Sequence, residues 1–230
     1  MSVTETDPNA PSGDAGGPEP GLPARKRPKP GERRVQILQA LATMLEQPGA
    51  ERITTAALAA RLDVSEAALY RHFASKAQMF EGLIDFIEQT VFTLVNQITR
   101  REAEAPPLDA AASVRQAERV VAMVVQFAEK NPGMTRVMVG DALVFEHERL
   151  QQRMNQFFDK LEASLRQCLR DGAAASTSAT PGADAQLMAS VLTAFLVGRL
   201  LRYARSGFRR PPSEHLPASL ALICQKDMAH

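Results

Sequence analysis

Residues 53–80 read ITTAALAARLDVSEAALYRHFASKAQMF. Leu58 and Leu62 stand four residues apart, and Leu69 and Phe73 repeat that step. Two short helices with apolar faces follow from this spacing, the first opening at Thr54-Thr55 and the second capped by Ser65. Ala59 is small where two helices cross closely, and Val64 fills the angle between them. Asp63 occupies the turn, where glycine is common, and Asp tolerates a left-handed backbone better than most residues. Ser75-Lys76-Ala77-Gln78 has the form of a capping box, so a third helix starts at once. The unit is a helix-turn-helix, which lays its second helix in the DNA major groove.

Each polar group on this unit has a physical use. Thr54 and Thr55 present hydroxyls and free N–H groups at a helix start, which suits a phosphate or a simple N-cap. Ser65, Glu66, Ala67 and Ala68 form the end that enters the groove. The alanine methyls can meet thymine methyls. Glu66 can accept from cytosine N4, or only complement the helix dipole. Tyr70, Arg71, His72 and Lys76 lie further along, within reach of backbone phosphates, with a core position as the alternative for His72.

Upstream, residues 1–24 are rich in Pro, Gly, Ala and acid, a composition that cannot offset its ordering entropy. A basic arm follows: Arg25, Lys26, Arg27, Lys29, Arg33 and Arg34, interrupted by Pro28 and Pro30. It reads as a solvated linker or as an arm onto phosphates or the minor groove. Residues 1–32 are therefore expected to be a disordered tail, 33–80 the DNA-binding domain and 81–230 a helical domain.

The rest is helical by pattern, giving an all-α fold. A first helix is expected from Arg33 to Gln47. The helix opened by the capping box runs to about Arg101, with Leu83, Ile87, Val91, Leu94 and Ile98 on one face. Phe86 falls at the margin of that face and Phe92 on the far side. Further helices are expected over Ala112–Glu129, Met134–Gly140, Leu143–Arg170, Asp184–Ser206 and Pro217–Lys226. DGAAASTSATPGA, from Asp171 to Ala183, reads as a flexible loop.

The chain carries 27 Lys and Arg against 26 Asp and Glu, a net charge of +1, so affinity for DNA has to come from local clusters. Cys168 and Cys224 lack metal-ligand spacing and read as buried thiols. No stretch approaches the run of about 18 apolar residues that spans a bilayer. No apolar signal-peptide segment stands near Met1, so a cytoplasmic protein is expected. No phosphate loop, nucleophile motif or paired His/Cys ligand set argues for an enzyme, and no cofactor or metal is expected.

In the C-terminal half Leu150, Met154, Phe157, Leu161, Leu165 and Cys168 recur at steps of three and four. Leu187, Val191, Phe195 and Leu201 make a second stripe, with Ala194 and Gly198 as a small pair. Two such helices build a four-helix dimer bundle, or they pack within one protomer. A ligand-sensing regulator needs a pocket with convergent polar groups. The chain has no Trp and two tyrosines, Tyr70 and Tyr203, and no polar constellation stands out here.

ALYRHFASK on a third helix followed directly by a long fourth resembles the TetR family of bacterial regulators. That resemblance implies an N-terminal three-helix DNA-binding domain and a larger helical domain that dimerises. It favours Phe157, Leu161, Leu165, Val191, Phe195 and Gly198 at a homodimer interface. A wider set is similar to the nucleoid occlusion regulators of that family: RITTAALAARLDVSEAALYRHFASK, LIDFIE, EKNPGMTRVM and ALVFEHERLQQRMNQFFDKLEASLRQCLR, between Arg52 and Arg170. This second resemblance implies a nucleoid-associated dimer on palindromic double-stranded DNA. It also implies binding to the division protein FtsZ and antagonism of its ring, with no membrane and no small-molecule effector. FtsZ-type partners carry an acidic C-terminal tail, so Phe86, Lys130 and Asn131 are the residues expected to meet it, with ordinary core packing as the alternative for Phe86. Arg209 and Arg210 are expected on a solvated surface. The alternative within the same fold is a ligand-responsive repressor.

Overall fold

The structure is a computed structural model that describes residues 31–47, 53–103, 109–172 and 179–224. The tail, the basic residues Arg25–Lys29 and most of the low-complexity stretch lie outside the described residues. The helices in chain order are α1 (Glu32–Leu45), α2 (Thr55–Arg61), α3 (Glu66–Tyr70), α4 (Lys76–Ala103) and α5 (Ala110–Lys130). They continue with α6 (Pro132–Met138), α7 (Glu148–Asp171), α8 (Pro181–Arg205) and α9 (Leu216–Cys224). No strand occurs among the described residues.

Local chemistry sets the helix starts. Thr54 Oγ1 accepts from Ala57 N at 3.1 Å and Ser65 Oγ from Ala68 N at 3.2 Å. Asp109 caps α5 in the same way through Ala112 N. At α4 the box closes on a shifted partner. Ser75 Oγ accepts from Gln78 N at 3.2 Å, and Gln78 Oε1 accepts from Ala74 N at 2.9 Å. Asp63 sits at φ 54°, the left-handed turn expected of it. Proline moves two boundaries earlier than the hydrophobic pattern suggests: Pro132 and Pro181 occupy first turns, where a missing N–H costs nothing. The expected helix beginning near Leu143 starts instead at Glu148. A left-handed Gly140 and the 3-10 turn Asp141–Leu143 intervene.

Two layers result. α1, α2 and α3 enclose Ile37, Leu41, Leu58, Leu69 and Phe73, each 1% exposed. α4 leaves this unit and runs into a bundle with α5, α7 and α8. Its buried stripe is Leu83, Ile84, Ile87, Val91 and Val95. Leu94 and Ile98 are only half-buried, and Phe92 lies edge-on to Phe157 at 5.4 Å rather than on a far side. Helix α4 is covered from several directions, so one wheel face could not describe it.

The bundle has a near end and a far end relative to α1–α3. Arg149 pairs with Glu81 at 2.8 Å and Arg153 with Glu88 at 2.7 Å and with Asp85, which ties the start of α7 to the start of α4. At the far end Gln186 bridges Glu162 and Arg166, so α8 begins where α7 ends and runs back toward α1–α3. There Tyr203 reaches the Glu129 carbonyl at 3.5 Å, and α6 packs between α8 and α1.

Burial corrects three interface expectations. Phe157, Leu161 and Leu165 are 0% exposed within one protomer, because α7 turns that stripe onto α4, α5 and α8. They are core residues and cannot face a second copy. Helix α8 has two apolar stripes. Ala185, Ala189, Leu192, Leu196 and Leu200 are buried, while Leu187 is 64% and Val191 42% exposed. Ala194 is exposed beside them, Phe195 is half-buried, and a Cβ at Gly198 would meet nothing within 4 Å. By length and composition α8 is apolar enough to cross a membrane, contrary to the sequence expectation. It packs along α7 with its second stripe open. Both cysteines are free. Burial pushes each thiol up to about 11, Cys168 being buried and Cys224 only half-buried.

Candidate nucleic-acid interface

The outer face of α2 and α3 gathers the residues singled out from sequence. Thr54, Ser65, Glu66, Ala67, Tyr70 and Arg71 are exposed, while Thr55, Ala68, His72 and Lys76 are half-buried. Three of them form a bonded set. Thr55 Oγ1 donates to Glu66 Oε2 at 2.5 Å, and Tyr70 OH donates to Thr55 Oγ1 at 3.5 Å. This set fixes the start of α2 against α3, so the relative placement of their exposed polar groups is held by the protein itself. One Glu66 oxygen is engaged in this set.

Two partners were not legible from sequence. Arg34 donates from Nη1 to the His72 carbonyl at 2.5 Å and lays its guanidinium 4.1 Å from the Phe73 ring centroid. This pins the first turn of α1 onto the end of α3, with a cation–π contribution. The basic arm thus ends in a structural arginine. The second is Glu146, whose side chain is 9% exposed and lies 2.5 Å from Lys76 Nζ. Lys76 stands at the first position of α4, directly after α3. It is already paired with the segment before α7, so any phosphate reaching it would have to compete with Glu146. Glu146→Gln should therefore tighten DNA binding by about threefold, the scale of a partly exposed ion pair, in a fluorescence-anisotropy titration. Unchanged affinity would mean that Lys76 does not meet phosphate.

The proposed phosphate contacts carry their own test. Thr54→Ala and Tyr70→Ala should each weaken specific DNA binding by about tenfold, roughly one hydrogen bond per half-site, with helicity and oligomeric state kept. Affinity unchanged at moderate salt would remove those residues from the interface.

The other candidates lie elsewhere. Phe86 is 46% exposed on α4, beside Asp85, which is held by Arg153. Lys130 is exposed at the end of α5, and Asn131 Nδ2 donates to the Phe127 carbonyl at 2.7 Å.

Residues 37–83 match the model of the bacterial regulatory proteins of the tetR family. Residues 112–226 match that of the SlmA-like, tetracyclin repressor-like C-terminal domain. The nucleoid occlusion factor SlmA of Idiomarina loihiensis is 44% identical over 194 residues, 84% of this chain and 94% of that protein. The SlmA of Alteromonas mediterranea is 46% identical, over 89% of this chain and 98% of its own length. The chain belongs to the SlmA family of TetR-type regulators. Solved structures agree on the fold alone. The MbdR regulator of Azoarcus superposes with a TM-score of 0.66 at 16% identity, covering 85% of this chain and 100% of that one. FadR of Bacillus subtilis, solved with stearoyl-CoA, gives 0.63 at 13% identity, covering 83% and 97%. Membership in the SlmA family makes α1–α3 a sequence-specific DNA-binding unit.

Proposed function

We propose that this protein is a nucleoid occlusion factor. It pairs into a homodimer, binds palindromic chromosomal sites in the cytoplasm and, while bound there, engages FtsZ and antagonises division-ring assembly. The observation that carries this reading is similarity to SlmA proteins along nearly the whole chain, through the C-terminal domain as well as the DNA-binding unit. Residues 33–80 serve as the DNA-binding domain and 81–230 as the pairing and partner domain, with α4 common to both.

Pairing is assigned to the open stripe of α8, from Leu187 through Val191 and Ala194 to Gly198, with Phe195 at its edge. Two such stripes bury apolar surface at about 25 cal/mol per Å², and small residues let the backbones approach. Phe86, Lys130 and Asn131 are assigned to the partner. An exposed ring supplies an apolar anchor, and the basic corner attracts an acidic tail. Phe86→Ala and Lys130→Glu should each reduce binding of an FtsZ tail peptide by about tenfold, a typical interface loss, and leave DNA affinity unchanged. Unfolding of Phe86→Ala would return that ring to the core.

The deciding experiment is sedimentation of polymerising FtsZ with this protein, with and without its specific DNA. Loss of polymer that requires both is expected. The second reading is a ligand-responsive repressor, favoured by the stearoyl-CoA complex of the FadR neighbour. It takes over if polymer is unaffected and stearoyl-CoA releases the DNA.

A further inference from the structure

Arg202 and Arg205, on the last turns of α8, continue the line of Leu187, Val191, Ala194 and Gly198 at the same three- and four-residue steps. The chain then turns at Gly207, with φ 62°, and brings Arg209 and Arg210 back beside them. All four guanidinium-bearing residues are exposed. Together with Leu201 and Ser206 they line an open cleft of about 480 Å³. Ser206 Oγ accepts from the backbone N–H groups of both Arg209 and Arg210, at 3.1 and 3.0 Å, which fixes the turn. Among the described residues, no carboxylate pairs with any of the four. Arg209 Nε donates to the Ser206 carbonyl at 2.9 Å; the other three make no side-chain hydrogen bond among the described residues.

A helix C-terminus attracts cations, and that alone accounts for Arg202 and Arg205 in a protomer by itself. It does not account for Arg209 and Arg210, which lie beyond the helix. Placement says more. This end of α8 is the near end. Tyr203 meets Glu129 at the close of α5, and Arg136 of α6 stacks 5.3 Å from the Phe208 ring centroid. Helix α6 in turn packs on α1. The arginines therefore stand on the side of the bundle that carries the DNA-binding unit. A two-fold axis that sets both recognition helices on one face of DNA keeps both α8 ends on that face too. Pairing through the α8 stripe then collects the arginines of two protomers near the axis, over the centre of the palindrome. Like charges so gathered repel one another unless an anion lies between them. Net charge is only +1, so the cluster is a local feature rather than part of a basic surface.

We propose that Arg202, Arg205, Arg209 and Arg210 form a second DNA contact, made by the C-terminal domain to backbone phosphates between the two half-sites. Guanidinium groups suit this role, since their planar forks match phosphate oxygens and carry no sequence preference. The contact adds affinity common to all sites and makes the dimer bind better than two independent recognition units. It rests on pairing through α8.

The test is the double variant Arg205→Gln/Arg210→Gln, neither of whose side chains is bonded among the described residues. The full chain and its specific duplex are titrated over a range of salt. The slope of log K against log salt is expected to be shallower than wild type by about 0.9 for each lost phosphate contact. A duplex with uncharged methylphosphonates at its central steps should lower wild-type affinity about tenfold and leave the variant little changed. Sedimentation run alongside should find the variant dimeric. Equal slopes, or a wild type indifferent to the central phosphates, would overturn the proposal. A monomeric variant would overturn it too, because the arginines would then join copies. Loss of an acidic FtsZ-tail peptide with an unchanged salt slope would assign the cluster to that partner instead. Failure of the α8 pairing itself is read separately, from sedimentation of a Val191→Glu variant.

Discussion

Val191→Glu should turn the dimer into a monomer and lower affinity for the palindromic site by two orders of magnitude or more. Val191 is 42% exposed in the middle of the open α8 stripe, one turn from Leu187 and one from Ala194. Within a protomer the substitution costs little, because the side chain already faces out. In the proposed α8 pairing the two Val191 side chains would come together across the two-fold axis, so two carboxylates would meet in apolar surroundings. Desolvating them without partners exceeds what the stripe contributes. In the proposed dimer, DNA binding would depend on the pair. When two recognition units are joined, the second binds as an intramolecular event, worth about 10² to 10⁴ in affinity without any new contact. Sedimentation equilibrium reads the dimer, and titration of a full palindrome against a single half-site reads the coupling. A dimeric Val191→Glu with full affinity would place the interface on another face. A monomer that kept full affinity would remove the need for pairing.

That interface also marks the limit of what the residues alone disclosed. The helix-turn-helix was legible because its determinants are local: leucines four apart, Thr54 and Ser65 as caps, and Asp63 in the left-handed turn. Helix α7 was legible as a helix but not as to its neighbour. Periodicity groups Phe157, Leu161 and Leu165 on one face, and the same face could bury against α5 or against a second chain. Helix α8 has apolar residues on two adjacent stripes, so hydropathy does not tell the inner one from the outer. Pairs distant in sequence were invisible altogether. Lys76 and Glu146 stand 70 residues apart, and no local rule links them. Thr55 and Glu66, 11 apart, meet only because the turn at Asp63 folds α3 back onto α2.

The second large effect is expected at a residue with no polar chemistry. Gly133→Ala should lower the melting temperature by roughly 5–10 °C and weaken the coupling between the two layers. Gly133 lies in the first turn of α6, where that helix crosses α1. A Cβ there would stand 1.9 Å from the Ala42 carbonyl oxygen and 2.9 Å from its carbon. These are backbone atoms of a packed helix, so no rotamer change relieves the overlap, and α6 has to move away from α1. Overpacking of this kind costs about 1–3 kcal/mol in ordinary cores, and a clash with backbone belongs at the upper end. The shift matters for more than stability. α6 also packs on α5 and α8, and Thr135 Oγ1 anchors it to the Ala128 carbonyl at 2.9 Å. Moving α6 therefore tilts α1–α3 relative to α8, which in the proposed dimer would space the two recognition helices. DNA affinity should fall below the wild-type value even at temperatures where Gly133→Ala is fully folded, whereas affinity for a single half-site should not. Calorimetry and paired full-site and half-site titrations separate the two effects. A variant that melts like wild type would mean that α6 is not in close contact with α1. One that melts early yet binds the full palindrome normally would confine the role of Gly133 to packing.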